Sequence, residues 1–321
     1  MKRILFFVLG AFLMAACKPA NVPPAVQTIR LPMGYIPNVQ FASFYVAVDK
    51  GYFQEEGIVV DFDYKFETDG VALVGAGQLP FAIVSGEQVL LARAQNLPVV
   101  YAAAWWHGYP VAVAALKESG IQTVQDLKGK KVGIPILAGA SYVGFRALLN
   151  AAQMSEDEVT LDVIGYNQVE ALIAGQVDAA VVYANNEPIQ LAARGYPVNV
   201  IRVADYVDLA SNGLLTNEQT TAGQPDLVRG AVRAMLRGVQ DAIADPEGAY
   251  RVCRKYVDGL AENDPIQKQV LLATIAFWKT DRLGYSDPAA WKNMEATLQS
   301  MGLLTGPLDV TKAYTNDFLP E

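Results

Sequence analysis

Asp178–Pro188 reads DAAVVYANNEP, and its first half is the short apolar run Ala179–Tyr183. That run is too short for a free-standing helix. Its Val and aromatic content predicts a strand buried on both faces. Asn185, Asn186, Glu187 and Pro188 follow, and then the helical pattern Ile189–Ala193. Asn suits a helix cap and Pro suits the first turn. Polar groups therefore collect where the carboxyl end of a strand meets the amino end of a helix, which is where open α/β sheets bind ligands. By itself the junction is also that of an ordinary capped helix, with Glu187 complementing the dipole.

The chain on either side repeats this strand-to-helix grammar. Strands are predicted over Thr28–Gly34, Ile58–Tyr64, Phe81–Val84, Val99–Trp106 and Val111–Leu116, with helical patterns between most of them. A second unit begins near Ser119, with strands over Lys131–Ile134, Val159–Ile164, Val177–Tyr183 and Asn199–Val203. Ser211–Thr216 reads as a strand returning to the first unit. The helical patterns from Asp226 to Met301 carry little sign of a site and read as packing helices on the first unit. The expectation is an α/β chain with mainly parallel sheets. Lobe one spans 26–118 plus 212–321 and lobe two spans 119–211. The lobes enclose a cleft that closes on a ligand by hinge motion.

Composition narrows the function. The net charge is −8 and no Arg-rich run occurs, so nucleic acid is not an expected partner. A single His, His107, leaves no basis for a His-built metal site or a Ser–His–Asp triad. No metal and no cofactor is expected. At the amino terminus Lys2 and Arg3 precede the apolar run Ile4–Leu13, then Met14-Ala15-Ala16-Cys17. This is the layout of a secretory leader, residues 1–16, and the run is too short to span a membrane comfortably. Cys after Ala-Ala, with Leu13 upstream, resembles a bacterial lipobox, so Cys17 is the expected lipidation site. Residues 17–25 form a Pro-rich tether holding the protein at the outer side of the cell membrane. Cys253, the other cysteine, sits in a helical pattern and reads as a buried apolar residue.

Several motifs occur together: Gly34-Tyr35-Ile36-Pro37-Asn38, Lys50-Gly51-Tyr52-Phe53, Asp126–Gly133 (DLKGKKVG) and Gly175–Val182 (GQVDAAVV). Their order resembles the substrate-binding lipoproteins of ABC importers, in the group with thiamine-pyrimidine-synthesis proteins and sulfonate binders. The resemblance covers roughly residues 28–300 and is nearest the riboflavin and formylaminopyrimidine binders. It implies a two-lobed periplasmic-binding-protein fold, no catalysis, and a membrane permease as partner. Monomer is the expected state for a protein that docks on a transporter. Riboflavin is the expected ligand and formylaminopyrimidine the alternative, with sulfonates or nitrate third. An enzyme of pyrimidine synthesis would need a Cys- and His-rich segment that this chain lacks. A surface lipoprotein without a ligand is the remaining class.

A cleft for a planar vitamin needs aromatic walls and a few directed polar groups. Asn38 offers a donor and an acceptor to a heteroaromatic edge, or else forms a turn. Ser85 and Glu87 follow a strand, with Glu87 placed to accept from ring N–H or ribityl O–H groups. Trp105 and Trp106 end another strand, and alternation predicts that only one of them faces the ligand. Phe41, Tyr142, Tyr166 and Tyr183, with Tyr35 and Tyr45, are stacking candidates whose other role is core packing. Asn185, Asn186 and Glu187 complete the set. Gly139-Ala140-Ser141 at a helix start is a possible anion cradle. The expectation there is a Ser-capped helix, because Lys131 and Arg146 do not flank it closely.

Overall fold

The computed structural model describes residues 26–320. The expected leader, Cys17 and the expected tether all fall in residues 1–25, outside the described residues. Lobe one opens with β1 (Gln27–Pro32) and β2 (Ile58–Asp63), paired in parallel. It continues with β3 (Ala82–Val84) and β4 (Val99–Ala104). Lobe two is a five-stranded sheet of β5 (Val111–Leu116), β6 (Lys131–Ile134), β7 (Thr160–Val163), β8 (Ala179–Tyr183) and β9 (Val198–Arg202). Its order is β7-β6-β8-β5-β9. The chain returns through β10 (Gly213–Asn217), which slots between β3 and β4.

Two expectations change here. The sheets are mixed: β5 runs antiparallel to β8 and β9, and β10 runs antiparallel to β3 and β4. These are the strands that carry the chain between lobes, so each enters its sheet from the hinge and runs against its neighbours. The lobe boundary also moves. Val111–Leu116 is buried along nearly its whole length between β8 and β9, so the crossing falls at about residues 105–110 and not at 118. An all-apolar run (VAVAAL) suits an interior strand of the second sheet.

The carboxyl-terminal helices start where sequence chemistry dictates. Asp245, Asp264 and Asp287 each accept a hydrogen bond from a first-turn amide, and a Pro follows each as the first helical residue. The Pro225–Ala244 helix buries Val228, Val232, Met235 and Val239 against lobe one. At Gly238 a Cβ would lie 2.1 Å from the Ser43 carbonyl, so the absent side chain sets how closely this helix approaches the Ala42–Asp49 helix. These helices do more than pack on lobe one. Thr274 of the Pro265–Trp278 helix accepts from Asn185 of lobe two at 2.7 Å. Ser300, at the end of the Pro288–Ser300 helix, accepts from Asn150 at 3.0 Å. Among the described residues no helix is long and apolar enough to cross a membrane.

Candidate functional site

The lobes enclose a cleft of about 860 Å³, counting its open mouth. Its walls are aromatic because each bordering element delivers a ring from just beyond its regular end. Tyr35 follows β1, Phe66 follows β2, and Tyr166 follows β7. The Tyr35 and Tyr166 rings meet edge to face at 4.7 Å, one from each lobe, and close one end. Phe66 lies 5.9 Å from Tyr166 on the same side. At the hinge Trp105 stacks on Phe41 at 5.6 Å and 13°. Trp106 stacks on Phe277 at 5.1 Å and meets Tyr183 at 5.8 Å. Both tryptophans line the cleft, contrary to the alternation argument. The physical reason is that β4 ends at Ala104, so the two rings leave irregular backbone and not a pleated strand. Trp105 Nε1 donates to Ser43 at 2.9 Å, whereas the buried Trp106 Nε1 has no protein partner.

The polar lining is acidic and amide in character. Glu187 is 5% exposed at the start of its helix. Its carboxyl accepts from the Tyr183 backbone N–H and from Asn186 Nδ2, both at 2.9 Å. Asn186 in turn accepts from Gln190 at 2.8 Å. Loss of water around Glu187 outweighs these bonds and lifts its carboxyl to about 7. Glu67, from the first turn of the Glu67–Gly75 helix, supplies the second carboxyl, lifted to about 8 by burial and by the nearby charge of Glu87. Asn212 and Gln40 add amides. No Lys, Arg or His is among the residues that line the cleft.

Of the residues singled out from sequence, the structure brings Phe41, Trp105, Trp106, Tyr166, Tyr183, Asn186 and Glu187 together on the cleft. Five others do not line it. Asn38 caps a short 3-10 turn, accepting from Gln40 N–H at 3.0 Å. Asn185 is turned away from the ligand space and donates to Gln40 at 2.9 Å and to Thr274, tying lobe two to lobe one. Tyr142 lies outside the cleft lining, donating to Glu156 and accepting from Arg146, both at 2.9 Å. Ser85 and Glu87 are fully buried behind the wall. Tyr45, also a stacking candidate, is core: its hydroxyl bonds that of Tyr64 at 2.9 Å and its ring stacks on Tyr256.

Other residues entered the cleft without a sequence argument. Glu67, Phe66, Asn212, Gln40 and Gln168 are lining residues. Glu67 carries the same signal as Glu187, an acidic first-turn residue after a strand, and that signal was available. The Gly139–Ala151 helix does open on the cleft, but its cap is Ala138 with no side-chain bond, so Ser141 is not the expected cap. Arg146 is engaged with Glu156 at 3.0 Å. His107 is partly buried, its ring held toward the neutral form by desolvation. Cys253 is buried in a helix of lobe one, its thiol pushed up to about 12. Among the described residues no group of three or more His, Cys, Asp or Glu side chains is placed to hold a metal ion.

Two α/β lobes, crossed twice by the chain and closed over an aromatic cleft, define the periplasmic-binding-protein fold. The alkanesulfonate-binding protein SsuA from Xanthomonas axonopodis pv. citri, solved bound to MOPS, superposes with a TM-score of 0.73 at 16% identity. The match covers 91% of this chain and 99% of that one. The chain belongs to the NMT1/THI5 like family, whose pattern matches residues 38–249. It is 40% identical over 314 residues to the riboflavin-binding protein RibY of Chloroflexus aurantiacus, covering 95% of this chain and 90% of that protein. It is 25% identical to the formylaminopyrimidine-binding protein of Halalkalibacterium halodurans, over 98% of each. It is also 26% identical to the 4-amino-5-hydroxymethyl-2-methylpyrimidine phosphate synthase of Aspergillus parasiticus, over 87% of this chain and 83% of that enzyme.

Proposed function

We propose that the protein is the riboflavin-capturing component of an ABC importer. The observation that carries this reading is the cleft's make-up: aromatic rings on both lobes, acceptor carboxyls and amides, and no cation among the lining residues. A flavin offers a broad π-face to stack, a ring N–H and carbonyl edge to hydrogen-bond, and a polyol tail. A neutral ligand of that kind suits a cleft without Lys or Arg, whereas a sulfonate or nitrate calls for donors and positive charge. The likeness to the riboflavin-binding relative supports the same choice. Cys and His are also missing from the lining residues, which supports capture without catalysis.

Formylaminopyrimidine is the second reading. Glu187, buried and lifted toward neutrality, is suited to pair with an aminopyrimidine edge as acceptor or, when protonated, as donor. Titration of the protein's tryptophan fluorescence separates the two. Saturable quenching by riboflavin, lost in a folded Trp105→Ala plus Trp106→Ala variant, is the expected result. A thermal shift with formylaminopyrimidine and none with riboflavin would move the assignment to pyrimidine uptake.

Export, acylation at Cys17, attachment to the outer side of the cell membrane, a monomeric state and delivery to a permease belong to the same proposal. The leader and lipobox pattern of residues 1–17 support them. Metabolic labelling with a fatty acid tests the anchor. Label present in the wild type and absent from Cys17→Ala is expected; equal labelling would remove Cys17 from that role.

A further inference from the structure

Behind the cleft wall, Ser85 stands between two carboxyls. Its hydroxyl contacts Glu67 Oε2 at 2.5 Å and also contacts Glu87 Oε1. Ser85 occupies the cap position of the Gly86–Ala94 helix, yet its side chain does not cap it. The hydroxyl is committed to the carboxyls instead. A serine hydroxyl has one proton, so it can donate to one carboxyl only. The second contact is satisfied when one carboxyl carries a proton, so the geometry favours a proton shared by the pair. Neither carboxyl has a cationic partner among the described residues. The titratable groups facing the pair are the phenols of Tyr101, Tyr109, Tyr166 and Tyr183, all held neutral by burial.

The arrangement fixes which face of Glu67 meets the ligand. Oε2 receives both the Ser85 hydroxyl and the Ser85 backbone N–H, the latter at 3.1 Å. The other oxygen, Oε1, has only a long 3.4 Å contact from Asn212 Nδ2, and Glu67 and Asn212 are both cleft-lining residues. Gly34 makes room for this pose, since a Cβ there would come within 2.6 Å of Glu67 Cγ. Glu87 is held from behind by Tyr109, whose hydroxyl lies 3.2 Å from Glu87 Oε2 and 3.2 Å from the Ala140 carbonyl of lobe two. Two further atoms on the same wall point independently to a ligand. Asn212 Oδ1 and Trp106 Nε1 are buried without protein partners, on residues 6% and 3% exposed. Buried polar groups left this way are completed by a ligand or by water.

We infer that Glu67 is a specificity-determining residue, presenting Oε1 as a fixed acceptor to a ligand N–H, and that Ser85 and Glu87 are positioning residues sharing a proton with it. This rests on the reading of the cleft as a binder of a neutral heteroaromatic. A carboxylate accepts more strongly than a carboxylic acid, so ligand affinity rises as Glu67 loses its proton.

The test uses riboflavin titrations by tryptophan quenching, from about pH 6 to about pH 9, on wild type, Glu67→Gln and Glu87→Gln. Urea denaturation of the ligand-free proteins runs over the same range. In Glu67→Gln the Ser85 N–H keeps the amide oxygen at the Oε2 position and turns Nε2, a donor, toward the cleft. Affinity should fall about tenfold or more, and the part of the pH dependence due to Glu67 should disappear. In Glu87→Gln the amide donates permanently to Ser85 and the like charge is gone, so the midpoint of the pH profile should move down. Binding by Glu67→Gln equal to wild type, or a profile unmoved in Glu87→Gln, overturns the inference. If wild type binds neither riboflavin nor formylaminopyrimidine, the proposed function fails separately. The ligand-free profile then decides the shared proton: a downward shift in Glu87→Gln supports it and an unmoved profile refutes it.

Discussion

Glu187→Gln isolates the energetic consequence of burying a carboxyl in the cleft. Glu187 is 5% exposed and its carboxyl is lifted from an ordinary value near 4.5 to about 7, chiefly by desolvation. Between those values the folded protein holds a proton that the unfolded chain has released. The stability contributed by the neutral form is therefore complete below about pH 4.5 and is lost as pH rises through about 7. Each tenfold step is worth about 1.4 kcal/mol, so the group removes about 3 kcal/mol by pH 8 to 9. Glutamine cannot ionise, and the variant lacks this slope. Its amide oxygen stays on the Tyr183 N–H, which points Nε2 at the Asn186 amide and disturbs the bond from Gln190. That change shifts the stability of the variant by a constant of about 1 kcal/mol, independent of pH. Urea denaturation at intervals between about pH 5 and about pH 9 measures both proteins. Wild-type stability minus variant stability should fall by about 2.5 kcal/mol across the range, the remainder having been lost below about pH 5. Two parallel curves would refute the argument, because they would mean that Glu187 is solvated enough to ionise at its ordinary value.

Two packing predictions follow from the same structure. Asn185→Ala removes both donors that tie lobe two to Gln40 and Thr274. It should lower stability by about 1 to 2 kcal/mol and raise the ligand-free radius of gyration in small-angle scattering as the lobes part; an unchanged scattering profile would show that the tie does not hold the lobes. Gly238→Ala places a methyl 2.1 Å from the Ser43 carbonyl, a clash with backbone that no rotamer relieves. It should cost about 1 to 3 kcal/mol in urea denaturation, against the gain of about 1 kcal/mol that Ala normally brings to a helix interior. A more stable variant would show that the two helices are not in close contact.

Local chemistry made much of this fold legible. The Asp-Pro pairs mark three helix starts, the short Val-rich runs mark buried strands, and strand-to-helix junctions mark the cleft edge. The junction Asn185-Asn186-Glu187 shows where that reading stops. Adjacent side chains at one junction diverge: Asn186 and Glu187 line the cleft, while Asn185 turns to the lobe contact. Sequence locates the junction, but which atoms face the ligand depends on backbone torsions and on the neighbour across the gap.

The two acidic junctions of lobe one make the same point. Glu67 and Glu87 are each first-turn residues of a helix in lobe one. In sequence they are equivalent, yet one lines the cleft and the other lies behind the wall, joined to it through Ser85. The assignment of Val111–Leu116 to lobe two was likewise decided by pairing partners far away in the chain, β8 and β9. Secondary structure, caps and the composition of the cleft rim follow from interactions within a few residues, and the sequence determines them alone. Which carboxyl lines the cleft, which tryptophans border it and where one lobe ends depend on contacts between distant segments, and only the tertiary structure decides them.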